Sequence, residues 1–207
     1  MLITKVKICG VTNLEDALAA VELGTDLLGF NFVPTSPRYI PVEKAAAVMQ
    51  RLPASVELAG VFVNASLQTI RQAGNECSLD WVQLHGDETP AFCQSLASDT
   101  VRVIKAIRVR DKADLEKIEE YMVDAILLDA FHPDQYGGTG LSFDWDLIQN
   151  VNWRVFLAGG ITPDNAAKAI SLGVYGIDLC SGVESSPGKK DHGKMKALFD
   201  SIRYLRG

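Results

Sequence analysis

Aromatic residues and long apolar runs are scarce in this chain of 207 residues. Aromatics make up 8% of the sequence and hydrophobic residues 47%, so the core must consist mainly of aliphatic side chains, as in packed α/β layers. No apolar run approaches the roughly 20 residues that a membrane-spanning helix requires. The N-terminal residues also lack the apolar stretch and cleavage site of a signal peptide. We therefore expect no membrane association and a cytoplasmic location, or a plastid one if a leader has been removed.

Positive charge and metal-ligand motifs are also in short supply. The formal net charge is −6 and the basic residues are scattered, so no basic stripe is available to bind nucleic acid. The four cysteines, Cys9, Cys77, Cys93 and Cys180, form no CxxC pair and no metal-binding spacing with histidine. We expect reduced thiols, no metal site, and a small molecule as the partner.

The sequence does contain a repeated alternation of short β-branched runs and longer segments with helical spacing. The helical segments include Asn13–Leu23, Val42–Arg51, Ser66–Gly74 and Pro163–Leu172. The predicted strands are Thr4–Cys9, Leu27–Asn31, Leu58–Val63, Trp81–His85, Val101–Ile107, Ala125–Asp129, Arg154–Ala158 and Gly176–Leu179.

Roughly eight βα units at a spacing of about 25 residues fill the chain without a linker, which predicts a single (β/α)8-barrel domain over residues 1–207. The alternative is an open doubly wound sheet. Such a sheet usually has fewer strands and a glycine-rich first turn, which Cys9-Gly10-Val11-Thr12 does not supply. In a barrel the active site lies at the C-terminal ends of the strands, so the polar residues there are the candidates.

The first predicted strand ends on a cysteine at the mouth of the barrel. Side chains alternate along a strand, so Val6 and Ile8 face the helices while Lys5, Lys7 and Cys9 face the interior. A free cysteine is most often a small buried hydrophobe. An inward ammonium group one layer below favours the thiolate, which makes Cys9 a candidate base.

The wholly apolar sixth strand ends on Asp129. By the same parity this side chain lies at the mouth, where it either caps a loop or acts in catalysis. A carboxyl group buried among apolar neighbours holds its proton more tightly, as a general acid must. Strands one and six lie three apart by the short way around, so we expect Asp129 and Cys9 to face each other across the mouth, as proton transfer requires.

The ends of strands seven and eight predict a phosphate site. Gly159 and Gly160 offer bare backbone that can approach an anion, and Ser181-Gly182 follows strand eight in a predicted short helical turn. Loops seven and eight with a short extra helix are the recurring phosphate site of such barrels. The alternative is that Gly159-Gly160 is only a tight turn.

Three further positions on this face are candidates. Arg38 follows the rigid turn Ser36-Pro37 and is either a solvated cation or a bidentate ligand for a carboxylate. The segment Gly137–Gly140 is either the hinge of a lid or an ordinary connection. His85 ends strand four, where its imidazole would hydrogen-bond a substrate or a loop, or transfer a proton.

Seven short segments occur in order and span nearly the whole chain. They are Lys7-Ile8-Cys9-Gly10, Ser36-Pro37-Arg38-Tyr39, Gln83-Leu84-His85-Gly86, Leu128-Asp129-Ala130, Gly137-Gly138-Thr139-Gly140, Leu157-Ala158-Gly159-Gly160 and Ser181-Gly182-Val183-Glu184. As an ordered set they resemble the phosphoribosylanthranilate isomerase family of tryptophan biosynthesis. The resemblance implies an Amadori rearrangement of an aminoaldose to an aminoketose, without cofactor or metal.

The same resemblance implies roles for individual residues. Asp129 would protonate the furanose ring oxygen, Cys9 would remove the C2′ proton, and Arg38 would bind the anthranilate carboxylate. Cys180 stands where we would expect Ser or Asn, and it has no assigned role. The phosphate would be held by the backbone around Gly159, Gly160, Ser181 and Gly182.

The residues themselves leave the activation of Cys9 as a hypothesis. An unperturbed thiol is only a few per cent ionised at neutral pH, so the base needs help. Lys7 is the candidate, with Asp178 as its inward partner on strand eight. We count Asp178 and His85 among the substrate-binding residues.

Two other functions stay open at this point. The aminoaldose isomerase of histidine biosynthesis runs similar chemistry on the same scaffold, but we would expect an aspartate at position 9 and a second Gly-Gly loop after strand three. A non-catalytic phosphosugar-binding protein would tolerate the loss of Cys9 and Asp129. The oligomeric state is expected to be either a monomer or a homodimer.

Overall fold

The computed structural model of the chain describes residues 4–96, 101–130, 137, 143–148 and 153–206. Eight parallel strands close into a barrel, in which each strand pairs with the next and β8 pairs with β1. The predicted (β/α)8 barrel is confirmed, and the open sheet is excluded. The barrel strands are β1 (Lys5–Cys9), β2 (Leu27–Asn31), β3 (Glu57–Phe62), β4 (Trp81–Leu84), β5 (Arg102–Val109), β6 (Ala125–Ala130), β7 (Val155–Leu157) and β8 (Gly176–Leu179).

Helices connect the strands, and a small hairpin follows β8. The hairpin pairs β9 (Glu184–Ser186) with β10 (Lys189–Lys190), and short 3-10 helices cover Lys117–Glu120, Trp145–Ile148, Ser181–Val183 and Arg203–Leu205. No helix in the described ranges has the length and apolar character needed to cross a membrane. The α-helices are α1 (Leu14–Glu22), α2 (Val42–Met49), α3 (Leu67–Cys77), α4 (Pro90–Gln94), α5 (Lys112–Glu116), α6 (Ala166–Ser171) and α7 (His192–Ile202).

The start of α6 differs from the prediction, which placed it at Pro163. The regular helix begins at Ala166, after a turn in which the side chain of Asn165 accepts a hydrogen bond from the backbone N–H of Thr162 at 2.8 Å. This bond holds the intervening residues in a turn. An asparagine side chain has here taken over a local backbone partner, as Asn often does beside helix ends.

Side chains alternate between two apolar layers, one inside the barrel and one between the barrel and the helices. In β6, Ala125 and Leu127 belong to the inner layer, while Ile126 and Leu128 belong to the outer one. Asp129 continues the inner series at the end of the strand. The parity that predicted an inward Asp129 is therefore present in the fold.

The inner layer makes the barrel a packed core. Trp81 and Phe156 meet there edge to face, with ring centroids 6.3 Å apart, and both are fully buried. The guanidinium of Arg102 lies 4.2 Å from the Trp81 ring centroid. Because side chains fill the interior, functional groups that must meet a substrate lie above this layer, at the strand ends.

Trp81 can be used to test the importance of this inner layer. We expect Trp81→Ala to lower the free energy of unfolding by about 3–5 kcal/mol, because the large cavity cannot collapse between closed strands. Urea unfolding measures the change. Tyr204→Ala is the control, since Tyr204 is 91% exposed and its loss should change stability by less than about 0.5 kcal/mol. Equal effects of the two variants would contradict the packed-core description.

Candidate active site

A cavity of about 510 Å³ opens at the C-terminal ends of the barrel strands. The residues that the sequence predicts to be catalytic or substrate-binding come from distant parts of the chain, and the barrel brings all nine of them to this cavity. They are Cys9, Arg38, His85, Asp129, Gly159, Gly160, Asp178, Ser181 and Gly182.

An ion pair between Lys7 and Asp178 lies beneath Cys9. Lys7 Nζ is 2.9 Å from Asp178 Oδ1, and the Lys7 side chain is fully buried. Burial alone would lower the pKa of Lys7, but the charges of Asp178 and Cys9 outweigh burial and raise it. Burial raises the pKa of Asp178 to about 7, against the pull of Lys7 and with the charge of Cys9 adding to the rise. Lys7 is therefore a fixed cation under the mouth of the barrel.

Cys9 is held toward its thiolate form. A hydrogen bond with Cys180 has the largest effect and lowers the pKa of Cys9, burial opposes it, and the charge of Lys7 lowers it further. The net result is a pKa well below that of an ordinary thiol. The charge of Lys190 also lowers the pKa of Cys9, and the Nζ of Lys190 donates a hydrogen bond to the backbone carbonyl of Cys9. Of the two thiols that line the cavity, Cys9 is thus the one whose anion the surroundings favour.

Cys180 is the residue that sequence reasoning left without a role. The register of β1 with β8 pairs Ile8 with Leu179, and Cys9 and Cys180 are the residues that follow these two along the chain. The hydrogen bond with Cys9 and burial raise the pKa of Cys180, so this thiol keeps its proton. The strand register was the missing information, because it places the second thiol beside the first.

Asp129 lies at the end of β6 beside His85. Asp129 Oδ1 accepts the backbone N–H of Ala130 at 2.9 Å, and Oδ2 lies 3.3 Å from Nε2 of His85. On its other side, His85 Nδ1 is 2.8 Å from the side-chain nitrogen of Gln83. If that nitrogen donates, the imidazole proton is on Nε2 and faces Asp129. Gln83 therefore orients the imidazole of His85, which lies beside the carboxyl group.

Gly137 covers this pair from the following loop. Its φ is +76°, and an added Cβ would lie 2.9 Å from Asp129 Oδ2 and 2.8 Å from His85 Nε2. Only a bare backbone fits so close to both groups. The remainder of the predicted lid segment, residues 138–140, lies outside the described residues.

Arg38 is buried, so the solvated alternative is wrong. Its Nε and Nη2 donate to the carboxylate of Glu184, with Nη2 2.7 Å from Oε2. Lys190 Nζ lies 3.0 Å from Oε1 of the same carboxylate. This pairing uses Nε and Nη2 and leaves Nη1 of Arg38 for a second anion. Glu184 and Lys190 were not predicted, although Glu184 closes one of the matched segments and could have been considered as a partner.

Loops seven and eight line the cavity with bare backbone. Gly159 and Gly160 both have positive φ, 81° and 64°, a conformation that glycine adopts without strain. At Gly182 an added Cβ would lie 1.9 Å from the carbonyl oxygen of Ile161, so only glycine allows loop eight to pack against loop seven. The 3-10 helix that starts at Ser181 is the predicted helical turn. Such concave backbone suits an anion such as phosphate.

Comparisons with known proteins agree over nearly the whole chain. The family model described as N-(5′-phosphoribosyl)anthranilate (PRA) isomerase matches residues 6–201. The N-(5′-phosphoribosyl)anthranilate isomerase of Pelobacter propionicus is 50% identical over 205 residues, which are 98% of this chain and 97% of the relative. The phosphoribosyl anthranilate isomerase of Thermus thermophilus superposes with a TM-score of 0.91 at 37% identity, over 98% of this chain and 100% of that one. A solved phosphoribosyl anthranilate isomerase in complex with reduced 1-(o-carboxyphenylamino)-1-deoxyribulose 5-phosphate gives a TM-score of 0.86 at 38% identity, again over 98% and 100%.

The fold and the cavity define an enzyme of the (β/α)8-barrel class, with its active site at the C-terminal face of the barrel. The matches then identify the kind of enzyme. The chain belongs to the N-(5′-phosphoribosyl)anthranilate isomerase family, and it is an isomerase.

The influence of Lys7 on Cys9 can be measured directly. Removing a cation beside a thiolate raises the pKa of the thiol, so in Lys7→Met the inflection in the alkylation rate of Cys9 should move to higher pH. Iodoacetamide labelling, followed by mass spectrometry of the Cys9 peptide, gives the rate at each pH.

Lys5→Met is the matched control for this experiment. Lys5 lies on the same strand but pairs with Glu57 at 2.7 Å, away from the cavity. Its loss should leave the inflection in place. If the Lys7→Met protein is folded by circular dichroism and its inflection is unchanged, Lys7 does not activate Cys9.

Proposed function

We propose that the chain converts N-(5′-phosphoribosyl)anthranilate to 1-(2-carboxyphenylamino)-1-deoxyribulose 5-phosphate in tryptophan biosynthesis, with Asp129 as general acid and Cys9 as general base. One observation carries this assignment. The carboxyl group from β6 and the thiol from β1 line the same cavity, and only the thiol is surrounded by ammonium groups that favour its anion. The rearrangement moves protons without net oxidation, which is chemistry that an acid and a base can perform.

Ring opening is the step that needs the acid. Asp129 donates a proton to the furanose ring oxygen, and the bond between C1′ and that oxygen breaks. The lone pair of the anthranilate nitrogen then forms the C1′=N double bond of an iminium ion. Asp129 Oδ1 is occupied by the backbone N–H of Ala130, so Oδ2 is the oxygen that carries the proton. The imidazole of His85 lies beside Oδ2.

Proton removal from C2′ is the step that needs the base. The thiolate of Cys9 takes this proton, and the electrons of the C–H bond flow toward the iminium nitrogen to form an enolamine. A proton then moves from the C2′ hydroxyl to C1′, which gives the ketone. Lys7 stabilises the thiolate before the transfer and remains paired with Asp178 after it, so no buried charge is left without a partner.

The two ends of the substrate carry negative charge and need separate partners. We assign the anthranilate carboxylate to Nη1 of Arg38, because Glu184 already binds the edge of the guanidinium that carries Nε and Nη2. We also assign Asp178 and His85 to substrate binding, next to the reacting carbons. We assign the phosphate to the bare backbone of loops seven and eight, at Gly159, Gly160, Ser181 and Gly182.

We further propose that the chain works in the cytoplasm on this one small phosphorylated molecule, as a monomer or a homodimer. A membrane or nucleic-acid partner is not part of the proposal, since the negative net charge disfavours both. Sedimentation of the purified chain distinguishes the two oligomeric states.

Removal of the acid or of the base tests the assignment. We expect Cys9→Ala and Asp129→Asn each to lower kcat by about 10²–10⁴-fold, the usual contribution of acid–base catalysis. The assay follows the fall in anthranilate-type fluorescence of freshly prepared phosphoribosylanthranilate. Cys77→Ala is the control, because Cys77 is a buried thiol outside the cavity and its loss should leave kcat close to normal. A folded Cys9→Ala or Asp129→Asn enzyme with normal turnover would remove that residue from the mechanism.

Arg38 should act mainly on substrate binding. We expect Arg38→Met to raise KM roughly ten- to a hundred-fold, since a hydrogen bond to a charged group contributes about 1.5–3 kcal/mol. Arg38→Lys should recover little, because an ammonium group cannot bridge Glu184 and a second carboxylate with planar geometry. Steady-state kinetics separates the two constants. A fall in kcat at constant KM would show that Arg38 does not bind the substrate in its ground state.

A further inference from the structure

We propose that Cys9 and Cys180 form a peroxide-reactive thiol pair, in which oxidation of Cys9 is followed by formation of a Cys9–Cys180 disulfide. This oxidation of Cys9 is a different reaction from the isomerisation. Only its effect on activity rests on the proposed role of Cys9 as the base.

The strand geometry brings the two sulfur atoms together. Cys9 and Cys180 directly follow Ile8 and Leu179, the last residues that pair β1 with β8, and both line the cavity. Neighbouring strands lie about 4.8 Å apart, which falls within the Cα separation of about 4.4–6.8 Å that a disulfide requires. Cys180 is also the neighbour with the largest influence on the pKa of Cys9. Closing the bond therefore asks for a change of rotamer rather than a movement of strands.

The charges around Cys9 and Cys180 determine which thiol reacts with the oxidant and which thiol then forms the disulfide. Cys9 has ammonium groups of Lys7 and Lys190 near it, so it is the nucleophile that meets the oxidant first. Cys180 keeps its proton and lies 3.8 Å from Oε1 of Glu184, which holds its thiol at the edge of the cavity. A low-pKa thiol beside a second thiol that can resolve it is the arrangement of reversible cysteine oxidation.

The other two cysteines lack these features. Cys77 and Cys93 belong to the apolar layer between the barrel and the helices, away from the cavity. Burial raises the pKa of each of these thiols to about 11. They are therefore poor nucleophiles and serve as internal references in the same molecule.

A hydroperoxide is the oxidant in this reaction. The Cys9 thiolate attacks the terminal oxygen, the O–O bond breaks, and Cys9 becomes a sulfenic acid while the peroxide is reduced to an alkoxide or hydroxide. The sulfur of Cys180 then attacks Sγ of Cys9. The S–S bond forms, the S–OH bond breaks, and the departing hydroxide takes the Cys180 proton to give water. A dithiol reductant restores both thiols.

The experiment treats the reduced full-length protein with hydrogen peroxide, blocks the remaining thiols with iodoacetamide, and maps the peptides by mass spectrometry. We expect the wild-type protein to lose two hydrogen atoms in mass and to show a cross-link between the Cys9 and Cys180 peptides. Cys77 and Cys93 should remain alkylatable after unfolding. Isomerase activity should fall in step with the cross-link and return with dithiothreitol.

Cys180→Ser is the matched variant, because serine keeps a hydrogen-bond donor of similar size and cannot form a disulfide. In this variant Cys9 should proceed to the sulfinic acid, and dithiothreitol should not restore activity. The wild-type peptide map remains decisive if the variant does not fold. Sulfinic acid at Cys9 without a cross-link, a cross-link to Cys77 or Cys93, or no oxidation at all would each overturn the proposal. A Cys9–Cys180 cross-link in a fully active enzyme would support the thiol pair and would instead overturn Cys9 as the base.

Discussion

The buried ion pair between Lys7 and Asp178 is the interaction on which the rest of the site depends. It lies inside the barrel at the level where β1 meets β8, and the charge of Lys7 acts on Cys9. A buried charge without a partner costs several kcal/mol, so each of the two groups depends on the other to remain charged. The chain thus keeps a cation in its interior, and the thiol of Cys9 above it ionises more readily as a consequence. Stability and nucleophile activation rest on the same contact.

A second set of charges organises the other side of the mouth. Glu184 accepts from Arg38 and from Lys190, and the Lys190 ammonium also binds the backbone carbonyl of Cys9. The hairpin after β8 is thereby tied to the end of β1. One carboxylate balances only one of these two cations, so the cluster keeps a positive charge that a substrate carboxylate at Arg38 can balance. Hydrogen bonds and ion pairs between the strand ends therefore hold the base and the binding groups in place, above the packed inner layer.

Much of this architecture could be predicted from the sequence, because strand parity is a local property. The alternation along β1 and β6 was enough to direct Cys9 and Asp129 into the barrel. The partnership of Cys180 with Cys9 depends on the register between strands that lie 171 residues apart at Lys7 and Asp178, and no local pattern reports such a register. The burial of Arg38 likewise depends on Glu184 folding back from the hairpin. The start of α6 was predicted too early, because a turn after Pro163 precedes the regular helix and already contains a bond from the N–H of Ala166 to the carbonyl of Thr162.

The fold favours the thiolate form of Cys9 because it surrounds this sulfur with a thiol and two ammonium groups. The most direct test is the ultraviolet absorbance of the thiolate, titrated against pH in the wild-type protein and in Cys9→Ser, with the difference assigned to Cys9. We expect this difference signal to be half developed at a pH well below the ordinary thiol pKa of about 8.5. A half-point at or above that value would show that the buried pair and Cys180 do not activate Cys9.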